Sequence, residues 1–566
     1  MSNLNNQRKK SIIIIGAGLG GLSSGVYAQM NGYDSTIFEM HEIPGGCCTA
    51  WDRRNYTFDQ CVSWLLGSGK NNKMNQIWNE LGALDGKQII NFEVFNRVYT
   101  QSGAYVDFYS EPGRLQEHLL EIAPEDEKQI KLFCSDLRKF YALTDAHPFL
   151  KPVGLMNPWE KFRMYAPYLI RMKLVGRAYS TPMSEFSSRF KNPVLREAFN
   201  FILFEKHESF PLIPFYFNLA CAALKNAGAP QGGSLGLAKS IERRYHSLGG
   251  RTVYNAKVEE ILIEDNKAVG VLLTDGQRHY SDIVISAGDG FGATQRLLGG
   301  KYPNPELDKL YLDMINERAL TFPSYFTMFL AVNKDYADKS HCATYVLSEE
   351  MRQELPGMMH PSINVQVRNQ YYPHIAPKGK SVLYISFFCD YKVWEQKTAA
   401  ENGNQPVSNK LHTKRRRTLE YRQAKKKTAK IIIEFLAKHY EGLVESIEFS
   451  DIGTPLTQER YTGNHHGTVL AWQPFLPSGE FVEHSVKKNG PKVPGLENFY
   501  MSGHWTTTGG LIRAASSGRH VIQYLCKDEA KPFKAYIGEL PEQGDHLGPL
   551  SHMPDMPELE NTYAGS

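Results

Sequence analysis

Three glycines near the start of the chain, Gly16, Gly18 and Gly21, form a GxGxxG pattern. In residue type and spacing, this pattern is the clearest indication of chemistry in the sequence. The first permits a tight turn, the second lets the backbone approach a diphosphate, and the third lets the next helix pack close to the preceding strand. The N-terminus of that helix directs free N–H groups towards phosphates. Leu19 and Gly20 lie in the same turn. The pattern predicts a dinucleotide site.

The elements that must position these glycines follow in the expected order. Ile12–Ile15 is a short β-branched run that predicts a buried parallel strand. Helical spacing of apolar residues follows, and then a second predicted strand at 35–38. Glu39 ends that strand 21 residues after Gly18, where a carboxylate can accept hydrogen bonds from ribose hydroxyls. We therefore predict an α/β, Rossmann-type fold; a βαβ unit without a ligand would leave the glycines and Glu39 unexplained.

A glycine pair, Gly45 and Gly46, follows Glu39 after five residues and precedes two cysteines. Glu-x5-Gly-Gly resembles the extended fingerprint of two-dinucleotide-binding flavoproteins. That resemblance implies a second backbone approach to the diphosphate and favours FAD over NAD. Met40 and Cys47 are predicted to lie beside the cofactor. The cysteine is interpreted as packing rather than as a redox group, since free cysteine usually behaves as a small hydrophobe.

A third block, 496–525, carries a predicted strand, a Thr- and Gly-rich loop and a helix that begins near Leu511. We predict cofactor contacts at Gly503, Gly510, Leu511 and Ile512. The N-terminus of this helix can stabilise negative charge on a reduced flavin. The alternative is a plain terminal helix packed on the sheet.

These blocks together resemble the phytoene desaturase family in its broad sense: bacterial carotenoid desaturases, carotenoid isomerases and retinol saturases. Segment 53–69 resembles the family's aromatic-Asp motif, and 453–467 resembles its Thr-Pro segment; the resemblance spans most of 10–527. It implies that a strand around Val258 meets the adenine. Cys61 departs from the family pattern, because a glycine is common there.

The resemblance implies a two-dinucleotide-binding flavoprotein domain, and the residues between its blocks are expected to form a discontinuous substrate domain. The predicted bounds are 9–110, 230–300 and 451–530 for the FAD-binding domain, 111–229 and 301–450 for the substrate domain, and 531–566 for a disordered tail. Segment 288–293 lacks the GxGxxG spacing and is predicted to be a turn. No second Rossmann unit for NAD(P) is visible in the sequence.

The predicted chemistry is hydride transfer between flavin and a hydrophobic, conjugated substrate such as a polyene or an isoprenoid, as a desaturase or a saturase. The cofactor carries the difficult step, so a strong acid–base motif is not required. His465 and His466 are candidate proton donors near neutral pH, with surface residues as the alternative. His504 is a candidate to hydrogen-bond the flavin or the substrate. Arg513 is hypothesised to hold an enolate or a carboxylate; a salt bridge that fixes the loop is the alternative.

Two alternatives remain open at this point. The first is a reductive cyclase of an acidic polyene polyketide–macrolactam, which a cation beside the flavin would favour. The second, from another class, is a prenyl-binding chaperone of the Rab GDP-dissociation-inhibitor type, which holds no flavin. NADPH is the expected transient reductant in a reductive reaction. The substrate itself, the direction and the oligomeric state stay open.

Composition limits the partners of the 566-residue chain. Its net charge of +4 gives no indication of nucleic-acid binding. The eight cysteines are scattered without a CxxC pair, which predicts no metal site and favours a reducing cytoplasm. The longest apolar stretch, 210–224, is shorter than the roughly 20 residues of a membrane-spanning helix.

Two basic segments offer surfaces for a partner. Segment 159–177 alternates aromatic and aliphatic residues with lysines and arginines, a pattern typical of a helix on an anionic membrane surface. An ordinary surface helix explains the pattern equally well. Segment 410–430 is interpreted as a solvated helical face. We therefore expect a cytoplasmic protein, and the first segment allows peripheral contact at the inner face of a membrane.

Overall fold

The structure is a computed structural model. It describes residues 8–70, 72–203, 211–305, 307–309, 311, 321–400, 415–472, 491–507 and 509–538. The strands, in chain order, are β1 Ser11–Ile15, β2 Asp34–Phe38, β3 Ala50–Arg53, β4 Tyr56–Asp59, β5 Leu65–Leu66, β6 Ile89–Ile90, β7 Val94–Tyr99, β8 Tyr105–Tyr109, β9 Ala227–Pro230, β10 Arg251–Val253, β11 Val258–Glu264, β12 Lys267–Leu273, β13 Arg278–Tyr280, β14 Ile283–Ser286, β15 Ser324–Val332, β16 Cys342–Val346, β17 Ser362–Val367, β18 Ser381–Cys389, β19 Thr398–Ala400, β20 Arg415–Arg417, β21 Ile447–Gly453 and β22 Phe499–Met501.

The α-helices, also in chain order, are α1 Leu19–Met30, α2 Lys73–Glu80, α3 Pro112–Ile122, α4 Glu127–Phe140, α5 Pro158–Ile170, α6 Met172–Ser180, α7 Met183–Ser188, α8 Pro193–Asn200, α9 Leu212–Ala223, α10 Gly233–Ser247, α11 Glu349–Glu354, α12 Tyr391–Glu395, α13 Leu419–Leu436, α14 Leu443–Ser446, α15 Pro455–Thr462 and α16 Leu511–Asp528. A π-helix spans Gly292–Leu297, and short 3₁₀ turns include His465–Gly467 and His504–Thr506. Among the described helices, none is long and apolar enough to cross a membrane.

Five parallel strands form the first sheet, in the order β10, β2, β1, β14, β22. Ile12 and Ile14 of β1 share a buried cluster with α1, α10 and α16, whereas Ile13 packs against the small sheet β11–β12–β13 on the opposite face. Because successive side chains of a strand point to opposite faces, a sheet covered on both sides needs an unbroken apolar run. The α/β class and the Rossmann-type βαβ unit predicted from the sequence are confirmed.

Seven strands form the second sheet, in the order β21, β15, β18, β17, β16, β7, β8. On β15, Phe326 and Met328 pack towards α13, whereas Phe329 belongs to a cluster on the other face, and Tyr325 lines the cavity described below. The period of two along the strand produces this division. Strands β7 and β8 lie inside the predicted bound 9–110, yet β7 pairs with β16, so they belong to this second sheet.

Helices α3 to α9 form the third part of the fold. Aromatic rings fill their interior: Phe133 lies 5.2 Å from Phe199 and 5.6 Å from Phe215 between ring centroids. This helical part is continuous with the core of the first sheet. Residues 539–566 of the predicted tail lie outside the described residues.

The prediction that the tail is disordered from residue 531 onwards needs correction. Residues 531–538 lie against the core: the backbone N–H of Lys534 donates to Asn31 Oδ1 at 2.7 Å, and Phe533 packs 5.8 Å from Tyr27 between ring centroids. The Pro- and Gly-rich composition of the whole segment concealed this short anchor, which depends on contacts with α1.

Candidate functional site

A cavity of about 500 Å³ lies where the carboxyl ends of β1, β2 and β14 meet the second sheet. Parallel sheets place ligands outside the carboxyl ends of their strands. The predicted cofactor residues that line this cavity are Gly16, Gly18, Leu19, Gly20, Glu39, Met40, Gly45, Gly46, Cys47, Val258, Gly503, Gly510, Leu511 and Ile512. Gly21 is the predicted cofactor residue that does not line it.

The glycines of the first turn fall into two physical kinds. A Cβ on Gly21 would lie 1.9 Å from the carbonyl oxygen of Gly16, and one on Gly20 would lie 2.6 Å from Gly503 Cα, so packing requires these glycines. Gly18 has an ordinary φ of −65°. A Cβ there would meet no protein atom nearer than 4.0 Å. The protein alone does not require a glycine at 18, whereas the close approach of a diphosphate does.

The glycine pair lies directly on this turn. The backbone N–H of Gly45 donates to Ala17 O at 2.9 Å, and Gly45 bridges to Gly18. Positive φ values of 115° at Gly45 and 59° at Gly46 place both in the region that favours glycine. Two segments of bare backbone therefore face the same part of the cavity.

Cys47 follows the pair at the cavity wall. Burial raises the pKa of its thiol to about 12. The thiol therefore stays protonated at neutral pH and is a weak nucleophile. Asn464 Nδ2 donates to its sulfur at 3.4 Å. These observations support the interpretation of Cys47 as packing.

Glu39 is buried at the end of β2. Its Oε2 accepts from the backbone N–H of Ala17 at 2.6 Å, and its Oε1 accepts from that of His41 at 3.0 Å. A carboxylate has about four acceptor positions, so both oxygens keep capacity for ribose hydroxyls. The first of these bonds also fixes the glycine turn.

A third glycine segment at the cavity, which the sequence reasoning interpreted only as a turn, follows β14. Gly288 lines the cavity, its φ is not positive, and a Cβ there would meet no protein atom within 4 Å. Like Gly18, it is a glycine that packing does not require. The signal that could have found it is the strand end "DIVISAG", which repeats the pattern of an apolar strand followed by glycine.

Two cations also line the cavity and were missed. Arg296 lies on the π-helix, a distortion frequent at functional sites. Its buried Nε has no hydrogen-bond partner in the described structure. Lys257 precedes the predicted adenine contact Val258. Burial lowers the pKa of both side chains. Cationic donors at the wall of a cavity suit the anionic oxygens of a diphosphate.

A buried carboxyl, Asp289, is a further cavity residue that the sequence reasoning missed. Burial raises its pKa to about 6, although it accepts the backbone N–H groups of Gly292 at 2.5 Å and His465 at 2.6 Å. Asp289 therefore changes protonation state near physiological pH. No group of three or more metal-ligating side chains occurs in the described parts of the chain.

The remainder of the cavity has largely apolar walls. They comprise Trp64, Leu66, Tyr325, Tyr384, Leu470 and Ile512, which come from five separate stretches of the chain. Trp64 Nε1 donates to Asn218 Oδ1 at 3.0 Å, which fixes one aromatic wall. Such walls suit an apolar ligand with few polar groups.

Phe58 and Asp59 form the aromatic-Asp pair of segment 53–69, and they connect the second sheet to α10. Phe58 stacks on Phe329 of β15 with 4.9 Å between ring centroids. Asp59 is fully buried, forms an ion pair with buried Arg368, and accepts from the backbone N–H and the hydroxyl of Ser234, each at 2.6 Å. This network fixes the second sheet relative to α10.

The four catalytic candidates are not brought together. His504 lines the cavity, and burial lowers its pKa to about 4. His465 and His466 are not among the cavity-lining residues; their rings stack 3.9 Å apart, and His466 stacks on Tyr391 at 4.4 Å. Burial also lowers the pKa of His465 to about 4. Neither His504 nor His465 is a charged proton donor at neutral pH.

Arg513 lies just after two cavity residues but does not itself line the cavity. Its guanidinium carbon is 6.0 Å from the ring centroid of Phe149, and burial lowers its pKa while Tyr168 opposes that shift. The roles proposed for these four residues stay hypotheses.

The chain is similar in sequence to proteins of known activity. Residues 14–81 match the model of an NAD(P)-binding Rossmann-like domain. The chain is 25% identical to prolycopene isomerase 1 of an Oncidium hybrid over 82% of this chain and 76% of that protein. It is 22% identical to a lycopene-forming phytoene desaturase of Pseudescherichia vulneris over 92% and 99% of the two chains.

Two further proteins are similar to this chain, one in sequence and one in structure. All-trans-retinol 13,14-reductase of Danio rerio is 23% identical over 87% of this chain and 82% of that protein. A solved oxidoreductase from Methanosarcina mazei superposes with a TM-score of 0.56 at 16% identity, over 91% of this chain and 100% of that one. At this identity the structural match shows the fold alone.

The fold and these relatives define an enzyme, an FAD-dependent oxidoreductase. The bare backbone at Gly18 and Gly288, the carboxylate of Glu39 and the unpartnered Arg296 Nε fit that cofactor. The predicted resemblance to the phytoene desaturase, carotenoid isomerase and retinol saturase family is confirmed.

Proposed function

We propose that this enzyme transfers hydride between FAD and a hydrophobic, conjugated substrate of the polyene or isoprenoid class, as a desaturase or a saturase. The observation that carries the proposal is a single cavity with two unlike parts, a glycine cradle beside Glu39 and a largely apolar remainder between the two sheets. Relatives named for phytoene, prolycopene and retinol support the substrate class.

In this proposal the backbone holds the cofactor. Gly18, Gly46 and Gly288 leave room for the diphosphate, Glu39 accepts from the ribose, and Arg296 with Lys257 balances phosphate charge. The N-termini of α1 and α16 both meet the cavity, and their dipoles favour negative charge there. FAD, when bound, supplies the hydride acceptor or donor.

The chain's own part in the reaction is to bind, orient and exclude water. Aromatic walls such as Trp64 and Tyr384 hold an extended apolar chain in a dry environment, where positioning lowers the barrier. Desaturation removes a hydride and a proton from neighbouring carbons, and saturation returns both. In this proposal His504, which lines the cavity and is uncharged at neutral pH, is the candidate to accept a proton at a ring nitrogen, and Asp289 is the other titratable candidate at the wall.

Direction is tested by anaerobic spectroscopy of the purified enzyme. A desaturase loses its oxidised-flavin absorbance when mixed with a partly saturated polyene, while the substrate absorbance moves to longer wavelength. A saturase is bleached by NADPH and regains the flavin bands on addition of a conjugated polyene, whose absorbance moves to shorter wavelength. Flavin bands that respond to neither substrate would overturn the proposal.

The reductive cyclase of an acidic polyene gains no support from the site. That alternative depended on Arg513, which packs beside Phe149 and is not among the cavity-lining residues. The chaperone alternative is not taken further, because the relatives are oxidoreductases.

A further inference from the structure

Two glutamine side chains, Gln60 and Gln458, form an amide pair at the wall of the cavity. Gln60 Nε2 donates to Gln458 Oε1 at 2.7 Å, and both residues line the cavity. Gln60 directly follows β4 and Gln458 lies on α15, so residues 398 positions apart in the chain build the pair. Neither residue belongs to the glycine cradle or to the apolar walls.

The amide pair keeps hydrogen-bonding capacity that the protein does not use. Gln458 is only 5% exposed, yet its Nε2 donates to no other residue in the described parts of the chain. Gln60 Oε1 likewise accepts from no described residue. Exchanging the O and N atoms of both amides leaves the same capacity, one donor and one acceptor. Because buried polar groups are normally paired, this capacity indicates a polar partner inside the cavity.

A small side chamber adjoins the amide pair. It has a volume of about 60 Å³, and both glutamines line it as well as the main cavity. Its other walls include the hydroxyl-bearing side chains of Thr327, Thr457 and Thr462. A space of this size holds a hydroxyl group or a few water molecules, whereas an apolar ring needs a cavity of about 150 Å³. This end of the cavity is therefore polar, unlike the aromatic remainder.

The amide pair lies against the second sheet, on the side of the aromatic walls. A Cβ on Gly453 of β21 would be 3.7 Å from Gln458 Nε2, and Gly453 pairs with Thr327 of β15. Tyr325, one of the aromatic walls, precedes Thr327 by two residues and therefore lies on the same face of β15. A molecule held along these walls thus meets a polar wall at this end.

The charges at the side chamber distinguish a neutral group from an anion. Arg53 lines the chamber, and its Nε is 3.5 Å from Asp451 Oδ2. Trp51 Nε1 donates to the same oxygen at 3.0 Å. Since Asp451 compensates Arg53, an anionic group would find no spare cation among the described residues that line the chamber. A donor beside an acceptor, both neutral, suits a hydroxyl or carbonyl oxygen.

We propose that Gln60 and Gln458 bind a neutral oxygen-bearing group, a hydroxyl or a carbonyl, on an otherwise apolar substrate. This assignment rests on the proposed function and narrows it, because the conjugated substrate then carries an oxygen function and is not a pure hydrocarbon. One amide donates to that oxygen, and the other accepts from it where it carries a hydrogen. Both residues select the substrate without taking part in hydride transfer.

The test compares two probes with nearly the same isoprenoid skeleton, the alcohol farnesol and the hydrocarbon farnesene. Isothermal titration calorimetry measures the affinity of the full FAD-loaded chain for each. Gln458→Leu should lower the affinity for farnesol by about fivefold to tenfold, since one hydrogen bond is lost, and should not lower the affinity for farnesene. Gln277→Leu, at an exposed turn between β12 and β13, is the matched control and should bind both probes like the parent.

A second variant, Gln60→Leu, removes the other amide. Both variants should weaken the binding of farnesol. Only the variant that removes the donor should weaken the binding of the aldehyde farnesal, because its oxygen carries no hydrogen to donate. Flavin absorbance and a melting temperature like those of the parent verify that each variant is folded.

Three results would overturn the assignment. An unchanged preference between farnesol and farnesene in both variants would overturn it and leave the proposed function standing. Weaker FAD binding in the variants, again with an unchanged preference between the probes, would assign the amides to the cofactor instead. Affinity of the parent for neither probe would overturn both the assignment and the proposed substrate class.

Discussion

The glycine cradle and the apolar part of the cavity are built in opposite ways. The cradle comes mainly from one stretch, from β1 to Gly46, and its contacts are made by backbone atoms at positions where a side chain is missing. The apolar part is made by side chains from five distant stretches, among them Trp64, Tyr325 and Ile512. A short stretch of sequence can form the binding site of an invariant cofactor, whereas a space for a particular substrate depends on how separate elements pack.

Breaking the buried ion pair of Asp59 and Arg368, which connects the second sheet to α10, should have the largest effect. Asp59→Asn leaves Arg368 buried and unpaired, so we expect the free energy of unfolding to fall by about 3–5 kcal/mol. Urea titration measures the change. Asp34→Asn, which breaks an exposed pair with Arg251, is the control and should change stability by less than about 1 kcal/mol. Equal effects of the two variants would contradict the bridging role.

The two kinds of glycine within the cradle provide the next test. Gly21→Ala places a methyl group against the carbonyl of Gly16 and should destabilise the protein by about 3 kcal/mol or more. Gly18→Ala meets no protein atom, so stability should change by less than about 1 kcal/mol, while FAD affinity falls at least about tenfold. Flavin fluorescence titration and urea unfolding separate the outcomes. Normal FAD affinity in Gly18→Ala would show that the diphosphate lies elsewhere.

The buried carboxyl of Asp289 should make the free energy of unfolding depend on pH. Its pKa of about 6 is above the ordinary value of a carboxyl. The folded state therefore binds the proton more tightly, and stability is lost as pH rises from about 4 to about 6. Relative to Asp289→Asn, the parent should lose about 3 kcal/mol over that interval. Unfolding free energies measured across the range provide the comparison, and parallel curves would contradict the assignment.

The smallest expected effect concerns the cations. Arg296→Gln removes a charge-assisted donor from the cavity, and we expect the Kd for FAD to rise about tenfold. The salt dependence of FAD binding should also weaken. Arg278→Gln, at an exposed site on β13, is the control. An unchanged Kd in Arg296→Gln would place the phosphates away from this side chain.

Sequence reasoning succeeded where function depends on local backbone geometry. The strand, the glycine turn and Glu39 could be placed because their order and spacing are fixed by a single βαβ unit. It missed Gly288, Asp289 and Arg296, since their position at the cavity follows from β14 pairing with β1, a contact between residues about 270 positions apart. The position of β7 beside β16 was missed for the same reason.

By itself, the sequence determined the βαβ unit and the glycine cradle, because those features depend on residue type at short spacing. The preference for FAD came from the resemblance of Glu-x5-Gly-Gly to a known flavoprotein fingerprint. Only the tertiary structure decided which candidates reach the cavity: it kept His504 at the wall and placed His465, His466 and Arg513 elsewhere. It also separated the packed face of α5 from the exposed one. The physical reason is that burial, pKa and access are set by neighbours that lie far apart along the chain.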